Sequence, residues 1–191
     1  MIPGNVIDLR PVAVGDLRQL RVWEQSPQIA HWLATTASMV DARESPEQEF
    51  DRLLHSPRIK LLAIQTKAAV LTGLLRLNDV DFAQRKAQVR LFVAPEHQGR
   101  GYGSDALRTT ARFCFDELGL HRLGLLVRAD NVRARGIYER LGFSVEGRER
   151  EAAWSAGRWV DFLHMGLLAT EWRPSTDETP LACTAEAATN E

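Results

Sequence analysis

The residues best placed to do chemistry form a glycine-rich segment at 98–103, Gln-Gly-Arg-Gly-Tyr-Gly. This segment lies between an apolar run typical of a strand and an amphipathic run typical of a helix. A glycine-rich turn that leads into a helix exposes consecutive backbone N–H groups at the positive end of the helix dipole. The sequence therefore predicts a binding site for a phosphate or pyrophosphate group at this loop.

Two known phosphate-binding patterns can be compared with the loop. Residues 101–106 match the dinucleotide fingerprint G-x-G-x-x-G/A, and Asp130 lies near the end of the next strand, as in NAD(P)-dependent oxidoreductases. The dinucleotide turn, however, follows its strand almost directly, whereas residues 94–100 intervene here. A P-loop is excluded because no Gly-Lys-Ser/Thr ending is present. An oxidoreductase stays open as the less favoured alternative.

The elements that position the loop follow from the spacing of apolar residues. We expect an opening helix after Gly15-Asp16, a short helical face around 29–33, and a polar loop at 78–85. The other expected helices cover 45–55, 104–118 and 131–141, and the expected strands cover 6–12, 59–66, 69–77, 87–93, 122–127 and 160–168. This order predicts an α/β (α+β) fold: a mixed, mostly antiparallel twisted sheet with a central parallel strand pair flanked by helices.

Composition predicts one globular domain, covering 1–172, and a disordered tail at 173–191 that is rich in Thr, Ala, Glu and Pro. The net charge of the 191 residues is -1, which gives no general attraction to nucleic acid or to an anionic membrane. Cys114 falls on an apolar helical stripe and Cys183 in the tail, with no disulfide or metal-ligand spacing. No signal peptide or membrane-spanning run is present, so we expect a cytoplasmic protein.

The loop also fits the pattern Gln/Arg-x-x-Gly-x-Gly/Ala, and here the sequence resembles the GNAT superfamily of acyl-CoA-dependent N-acyltransferases. Residues 91–107 are similar to the family's strand–loop–helix core. Residues 131–143 are similar to its second signature, Asn…Tyr-Glu-x-Leu-Gly-Phe. Both signatures occur at the family's usual separation, and the resemblance covers about residues 6–172. The segment 26–32, with Leu9-Arg-Pro, resembles the opening of RimJ/RimL-like members.

The resemblance implies a GNAT fold and direct transfer of an acetyl group from acetyl-CoA to a primary amine, without a metal. It implies that backbone groups hold the CoA pyrophosphate at the loop and the pantetheine arm at the end of the preceding strand. Tyr138 is implied as the general acid for the leaving thiolate, since a phenol of pKa about 10 suits that proton transfer. The cofactor-binding residues implied are Leu91, Phe92, Val93, Gln98, Gly99, Arg100, Gly101, Tyr102, Gly103, Ser104 and Asn131.

The proton acceptor and the amine substrate stay open. The strand at 87–93 carries no carboxylate, so the candidate bases are Asp79, Asp81, Glu96 and Asp161, followed by His97 and His164. The acceptor could be a protein N-terminus, an amino acid, a polyamine or an aminoglycoside, and Trp154 and Trp159 could line its pocket. A non-catalytic acyl-CoA sensor and a different acyl donor, such as succinyl- or propionyl-CoA, are further alternatives. Family habit suggests a homodimer, although no pattern in the sequence encodes one.

Overall fold

A computed structural model describes residues 1–33, 48, 52–53 and 55–173 of the chain. Its sheet has eight strands in the order β1-β2-β3-β4-β5-β6-β8-β7. Neighbouring strands are antiparallel except for the central pair β5 and β6, which is parallel. The strands are β1 (Ile2–Pro3), β2 (Ile7–Pro11), β3 (Lys60–Thr66), β4 (Leu71–Asp81), β5 (Lys86–Val93), β6 (Arg122–Arg128), β7 (Ser144–Ser155) and β8 (Arg158–Leu168).

Helices cover both faces of the sheet in the described part of the chain. Before β3, the described residues form α1 (Leu17–Glu24) and α2 (Pro27–Leu33), and residues 48, 52 and 53 are also helical. Helix α3 (Tyr102–Arg112) follows β5 and ends in a π-helical turn at Phe113–Glu117, and α4 (Val132–Arg140) follows β6. The predicted mixed sheet with a central parallel pair and flanking helices is therefore confirmed. No described helix is long and apolar enough to cross a membrane.

The apolar periodicity explains which face of the sheet each helix covers. Leu107 and Ala111 of α3 pack with Leu75 and Leu125 in the main core, on one face of the sheet. Trp23 and Ile29, from α1 and α2, form a second core with Ala63 and Phe92. Because alternate residues of a strand point to opposite faces, β5 packs Ala87 and Val89 into the main core and Phe92 into the second core.

Two sequence predictions differ from the structure. The segment 78–85 was expected to be a loop, but β4 continues to Asp81. Val80 is buried and its N–H donates to the carbonyl of Arg58, so a single apolar residue within a polar run extends the strand. Residue Asp79, with φ of 49°, marks the irregular register there. The short strand β1 was not predicted. Most of the expected helix at 45–55 and the tail with Cys183 lie outside the described residues.

Helix α3 is joined to the N-terminal strand by a buried carboxylate. Asp105 Oδ2 accepts hydrogen bonds from the backbone N–H groups of Val6 (2.8 Å) and Ile7 (3.0 Å). The side chain is almost fully buried, with Arg108 3.8 Å away on the next turn. Asp105 thus fixes the helix that follows the glycine loop against β2, about a hundred residues earlier in the chain.

We predict that Asp105→Ala destabilises the fold by about 2–3 kcal/mol, since two backbone N–H groups lose a charged acceptor. Asp105→Asn keeps one acceptor oxygen and should lose less. Equilibrium urea unfolding at pH 7 measures both. The control is Asp116→Ala, at an exposed carboxylate on the π-helical turn, which should change stability by under about 0.5 kcal/mol. Equal effects of the Asp105→Ala and Asp116→Ala substitutions would contradict the assignment.

Candidate functional site

The central strands β5 and β6 pair only over their first residues. Their ladder joins Lys86 to Arg122, Ala87 to Leu123 and Gln88 to Gly124, and then stops. The outer ladders continue: β4 pairs with β5 as far as Val93, and β8 pairs with β6 as far as Arg128. The two strands therefore separate into a V-shaped opening at the centre of the sheet, and their backbone groups on that side are left without a strand partner.

The last paired position is closely packed. An added Cβ at Gly124 would lie 2.6 Å from the amide atoms of Gln88, so the side chain of Gln88 lies directly over this glycine. A larger residue at position 124 would displace it. Gly124 and Gln88 thus form the closed end of the opening.

The glycine loop lies at the end of β5 and begins α3. A short 3-10 turn at Pro95–His97 separates the loop from the strand. Gly99 and Gly101 have φ of 82° and 80°, a left-handed conformation that favours glycine. The first helical hydrogen bond runs from Asp105 N–H to the carbonyl of Gly101 (3.0 Å), without a side-chain cap. The N–H groups of the helix's first residues therefore stay free for an anion.

The opening and the loop line one large cleft with a volume of about 1290 Å³. Such a volume exceeds the usual range for a site that holds one drug-sized ligand. We call the part formed by the loop and α4 the loop side, and the part formed by α2, the end of β4 and the β7–β8 hairpin the α2 side. The predicted site residues that line the cleft are Leu91, Phe92, Val93, Gln98, Gly99, Gly101, Tyr102, Gly103, Ser104, Asn131 and Tyr138.

Arg100 is the predicted site residue that does not line the cleft. Its guanidinium donates to the carbonyl of Glu96 (3.4 Å), on the exposed outside of the loop. The ring of Phe92 is buried in the core beneath α1 and α2. We therefore infer that Phe92 lines the cleft through its backbone. Ile137 also lines the loop side and was not predicted, and so does Arg133, whose place in the sequence allows a phosphate contact but favours a solvated helix face. Residues 133 and 137 are four apart on α4 and so share a face of the helix, which was the available signal.

Helix α4 brings Tyr138 into the cleft. The Oδ1 of Asn131 accepts the N–H of Ala134 (3.1 Å), which confirms Asn131 as the cap of this helix. The Tyr138 ring contacts Phe143 edge to face, with centroids 6.0 Å apart. Burial raises the pKa of Tyr138 to about 12, so its phenol stays protonated at neutral pH.

The single described cysteine is not a nucleophile. Cys114 is fully buried on the core stripe of the helix, as predicted, and does not line the cleft. Burial raises the pKa of its thiol to about 12. Because the thiolate is the reactive form, Cys114 is inert at neutral pH.

Three of the candidate bases have other partners. Glu96 accepts the indole N–H of Trp23 (2.9 Å), and Asp81 accepts the backbone N–H of Gln84 in a turn (2.8 Å). Asp161 accepts from the guanidinium of Arg148 and a backbone N–H, which lower the pKa of its carboxyl. None of the three carboxylates lines the cleft.

The other three candidates, Asp79, His97 and His164, do line the cleft. Of these, His164 lies on the α2 side and pairs in register with Leu126, just beyond the point where β5 and β6 separate. Its Nε2 is 3.4 Å from Glu149 Oε2 on β7. Glu149 was missed in the sequence, because a register shift in β7 decides which of its side chains share a face with His164.

A buried arginine holds α2 against the cleft. Arg128, at the end of β6, donates two hydrogen bonds to the Asp130 carboxylate (2.9 and 2.8 Å) and one to the carbonyl of His31 (3.0 Å). Its guanidinium also lies over the Trp32 ring, 5.3 Å from the centroid. Arg128 was not predicted from the sequence, because its partners include α2, 97 residues away.

The same ion pair argues against a ribose-binding role for Asp130, one of the two features that suggested a dinucleotide site. The hydrogen bonds from Arg128 lower the pKa of Asp130, and Arg158 also contacts its Oδ2 at 2.7 Å. A carboxylate held in this way does not offer its oxygens to a ribose. Trp154 and Trp159, expected near the acceptor, are exposed and pack on each other (5.2 Å) without lining the cleft.

Comparisons with known proteins agree with this geometry. The family model described as the acetyltransferase (GNAT) domain matches residues 7–144. Spermidine N(1)-acetyltransferase of Vibrio cholerae is 27% identical over 177 residues, which cover 88% of this chain and 96% of that protein. A putative ribosomal N-acetyltransferase of Bacillus subtilis, YdaF, is 32% identical over 53% of this chain and 56% of its own length.

A solved structure also shares the fold. The crystal structure of spermidine N-acetyltransferase from Vibrio cholerae in complex with CoA and spermine has a TM-score of 0.79 and 26% identity, covering 86% of this chain and 96% of that one. The fold, the match over most of the domain and the CoA-bound relative lead to the same conclusion. The chain belongs to the acetyltransferase (GNAT) family and is an N-acetyltransferase that moves an acetyl group from a CoA thioester to an amine.

Proposed function

We propose that acetyl-CoA enters from the loop side of the cleft and the acceptor amine from the α2 side. The observation that carries this proposal is the separation of β5 and β6 beside the free N-terminus of α3. In this arrangement the N–H groups from residue 98 to 104 hold the pyrophosphate. The pantetheine arm then takes the place of the missing strand partner along residues 91–93.

The backbone would also assist the chemistry. The amine attacks the thioester carbonyl, and negative charge develops on the carbonyl oxygen as the C–N bond forms. An N–H group of residues 91–93 stabilises that charge in a site shielded from water. The C–S bond then breaks, and the electron pair leaves with the thiolate of CoA.

Tyr138 would give its proton to that thiolate. The burial that raises the pKa of the phenol makes it a weaker acid, but the same burial disfavours a thiolate at the cleft and raises its proton affinity. The free energy of proton transfer from the phenol to the thiolate therefore stays close to zero. The other protonated groups of the loop side, Arg133 and Arg140, are guanidinium groups that do not release protons in proteins.

His164 is the group that we propose takes the proton of the amine, directly or through water. It lines the cleft next to Leu126, and the carboxylate of Glu149 at 3.4 Å can orient the imidazole. Asp79 is less suited, because its carboxylate faces Arg58 (4.0 Å) in an irregular segment of β4.

The acceptor would be a primary amine on a small molecule or at a peptide N-terminus. The relatives named as spermidine acetyltransferases act on a small amine, and YdaF is named as a putative ribosomal acetyltransferase, which supports RimJ/RimL-like membership. The single domain over 1–172, the disordered tail, the homodimer and the cytoplasmic location stay predictions of the sequence.

We predict that CoA, but not NAD(P), raises the melting temperature of the protein. A ligand at a hundred times its Kd stabilises by about 2.7 kcal/mol. Gly101→Ala should weaken CoA binding because it strains the loop. Gly157→Ala is a matched control: Gly157 has a similar φ of 77° and free space around it, but lies in the β7–β8 turn. Both variants should lose about 1–2 kcal/mol of stability. Equal CoA affinity in the two would contradict the loop assignment.

We predict that Tyr138→Phe lowers kcat about 100-fold while the KM for acetyl-CoA changes little, because the ring contact is kept and only the proton donor is lost. Release of free thiol with a good amine acceptor measures this effect. With a pKa of about 12, Tyr138 should cause no loss of wild-type activity between pH 8 and 10. Unchanged turnover of the variant would refute the general-acid role, and a non-catalytic sensor would release no thiol with any amine.

We predict that His164→Gln lowers kcat/KM for the amine about 100-fold at pH 7, since the amine loses its proton acceptor. Glu149→Gln should lower it less, because it removes only the orienting charge. His121→Gln provides the control, at an exposed histidine just before β6 that does not line the cleft. Similar rates for the His164 and His121 variants would show that water alone accepts the proton.

A further inference from the structure

The α2 side of the cleft contains a half-buried cation, Arg90, that the proposed reaction does not use. Arg90 lies on β5, two residues beyond Gln88, the last residue paired with β6. Its side chain lines the cleft. Residues two apart in a strand share a face, so Arg90 and Gln88 point to the same side of the sheet. Arg90 therefore flanks the opening where the amine must meet the thioester.

Arg90 is held in place by a backbone carbonyl rather than by an ion pair. Its Nη2 donates to the carbonyl of Leu33, at the end of α2, at 2.6 Å. Within the described ranges, no carboxylate forms an ion pair with it. Burial lowers the pKa of Arg90, Arg76 on β4 lowers it further, and Glu24 offsets part of this effect. A desolvated cation beside another cation gains stability from any anion that enters.

The described carboxylates of the cleft, by contrast, each face a basic group. Asp79 lies 4.0 Å from the guanidinium of Arg58, and Glu149 lies 3.4 Å from the imidazole of His164. Of the described Asp, Glu and Arg residues that line the α2 side, Arg90 is therefore the one with no side-chain partner of opposite acid–base type in contact. On the loop side, Arg133 and Arg140 also line the cleft, but there the phosphates of CoA supply the matching negative charge.

We propose that Arg90 binds an oxyanion of the acceptor, so that the substrate is a small amine that carries a carboxylate or phosphonate group a few bonds from the nitrogen. This inference rests on the proposed function. The short spacing follows because Arg90 flanks the opening itself, so the amine at the thioester and the anion at the guanidinium are neighbours. A guanidinium binds such oxyanions through two parallel N–H donors. A polyamine, which has several positive charges and no anion, is the opposite of this substrate.

The test compares amines that differ only in the anion. Each α-amino acid of a set is assayed with acetyl-CoA beside its own amide, 2-aminoethylphosphonate is assayed beside ethylamine, and spermidine is included. Free-thiol release gives kcat and KM. We expect kcat/KM at least 10-fold higher for the anionic member of the preferred pair. Preference for the carboxylate or for the phosphonate identifies which oxyanion is natural.

Variants of Arg90 connect that preference to the residue. Arg90→Gln should raise KM about 10- to 100-fold for the anionic amine and leave the neutral amine unchanged. Arg90→Lys, which keeps the charge but not the planar pair of donors, should give an intermediate KM. Lys86→Gln is the control, because Lys86 is an exposed cation four residues earlier on the same strand and does not line the cleft. Its KM values should change by less than about threefold.

Two results would overturn the proposal: a preference for spermidine over every anionic amine, or an equal loss in the Arg90→Gln variant for neutral and anionic amines. If the proposed function itself is wrong, the result is different: CoA binds, but no amine causes release of free thiol. In that case, thermal stabilisation of the CoA complex by the anionic amine is compared between the wild type and Arg90→Gln. Stabilisation of the wild type alone supports the anion site, and its absence overturns it.

Discussion

The separation of β5 and β6 beyond Gln88 and Gly124 is the constraint on which the rest of the structure depends. Each strand keeps its outer neighbour, since β4 follows β5 to Val93 and β8 follows β6 to Arg128. Only the hydrogen bonds between β5 and β6 are absent beyond these two residues. Backbone N–H and C=O groups need partners, so the opening favours an extended ligand with amide groups of its own. The glycine loop at the end of β5 places an anion site beside that opening, and the two together suit a pyrophosphate joined to a pantetheine arm.

Where two central strands separate, the helices on both faces of the sheet must be held in place by other contacts. On the loop side, Asp105 ties the first turns of α3 to the backbone of β2, so the helix that follows the glycine loop is fixed by the N-terminal strand. On the α2 side, Arg128 joins the end of β6 to α2 and to Asp130. Both supports are buried ionic groups with several hydrogen bonds. Such groups give directional contacts that apolar packing alone does not supply.

The sequence predicts the reaction more clearly than it predicts the acceptor amine. The loop, the strand before it and Tyr138 follow local patterns, and the structure places almost all of these residues on one cleft. Arg100 is the exception, because a glycine turn exposes its backbone while its side chain points outward. Arg128 and Glu149 could not be found locally. Their roles depend on a contact with α2, 97 residues away, and on a register shift within β7.

The charges of the cleft also limit what similarity to the spermidine acetyltransferases implies. The two GNAT-like signatures of this chain, at 91–107 and 131–143, line the loop side, where we propose that CoA binds. The α2 side is formed by other segments, whose side chains can change without affecting the donor. In this chain the residue beside the opening is a desolvated arginine, and the described carboxylates of the cleft already face basic groups. If Arg90 binds an anion as we propose, it would repel a polycation, so a shared reaction does not imply a shared amine.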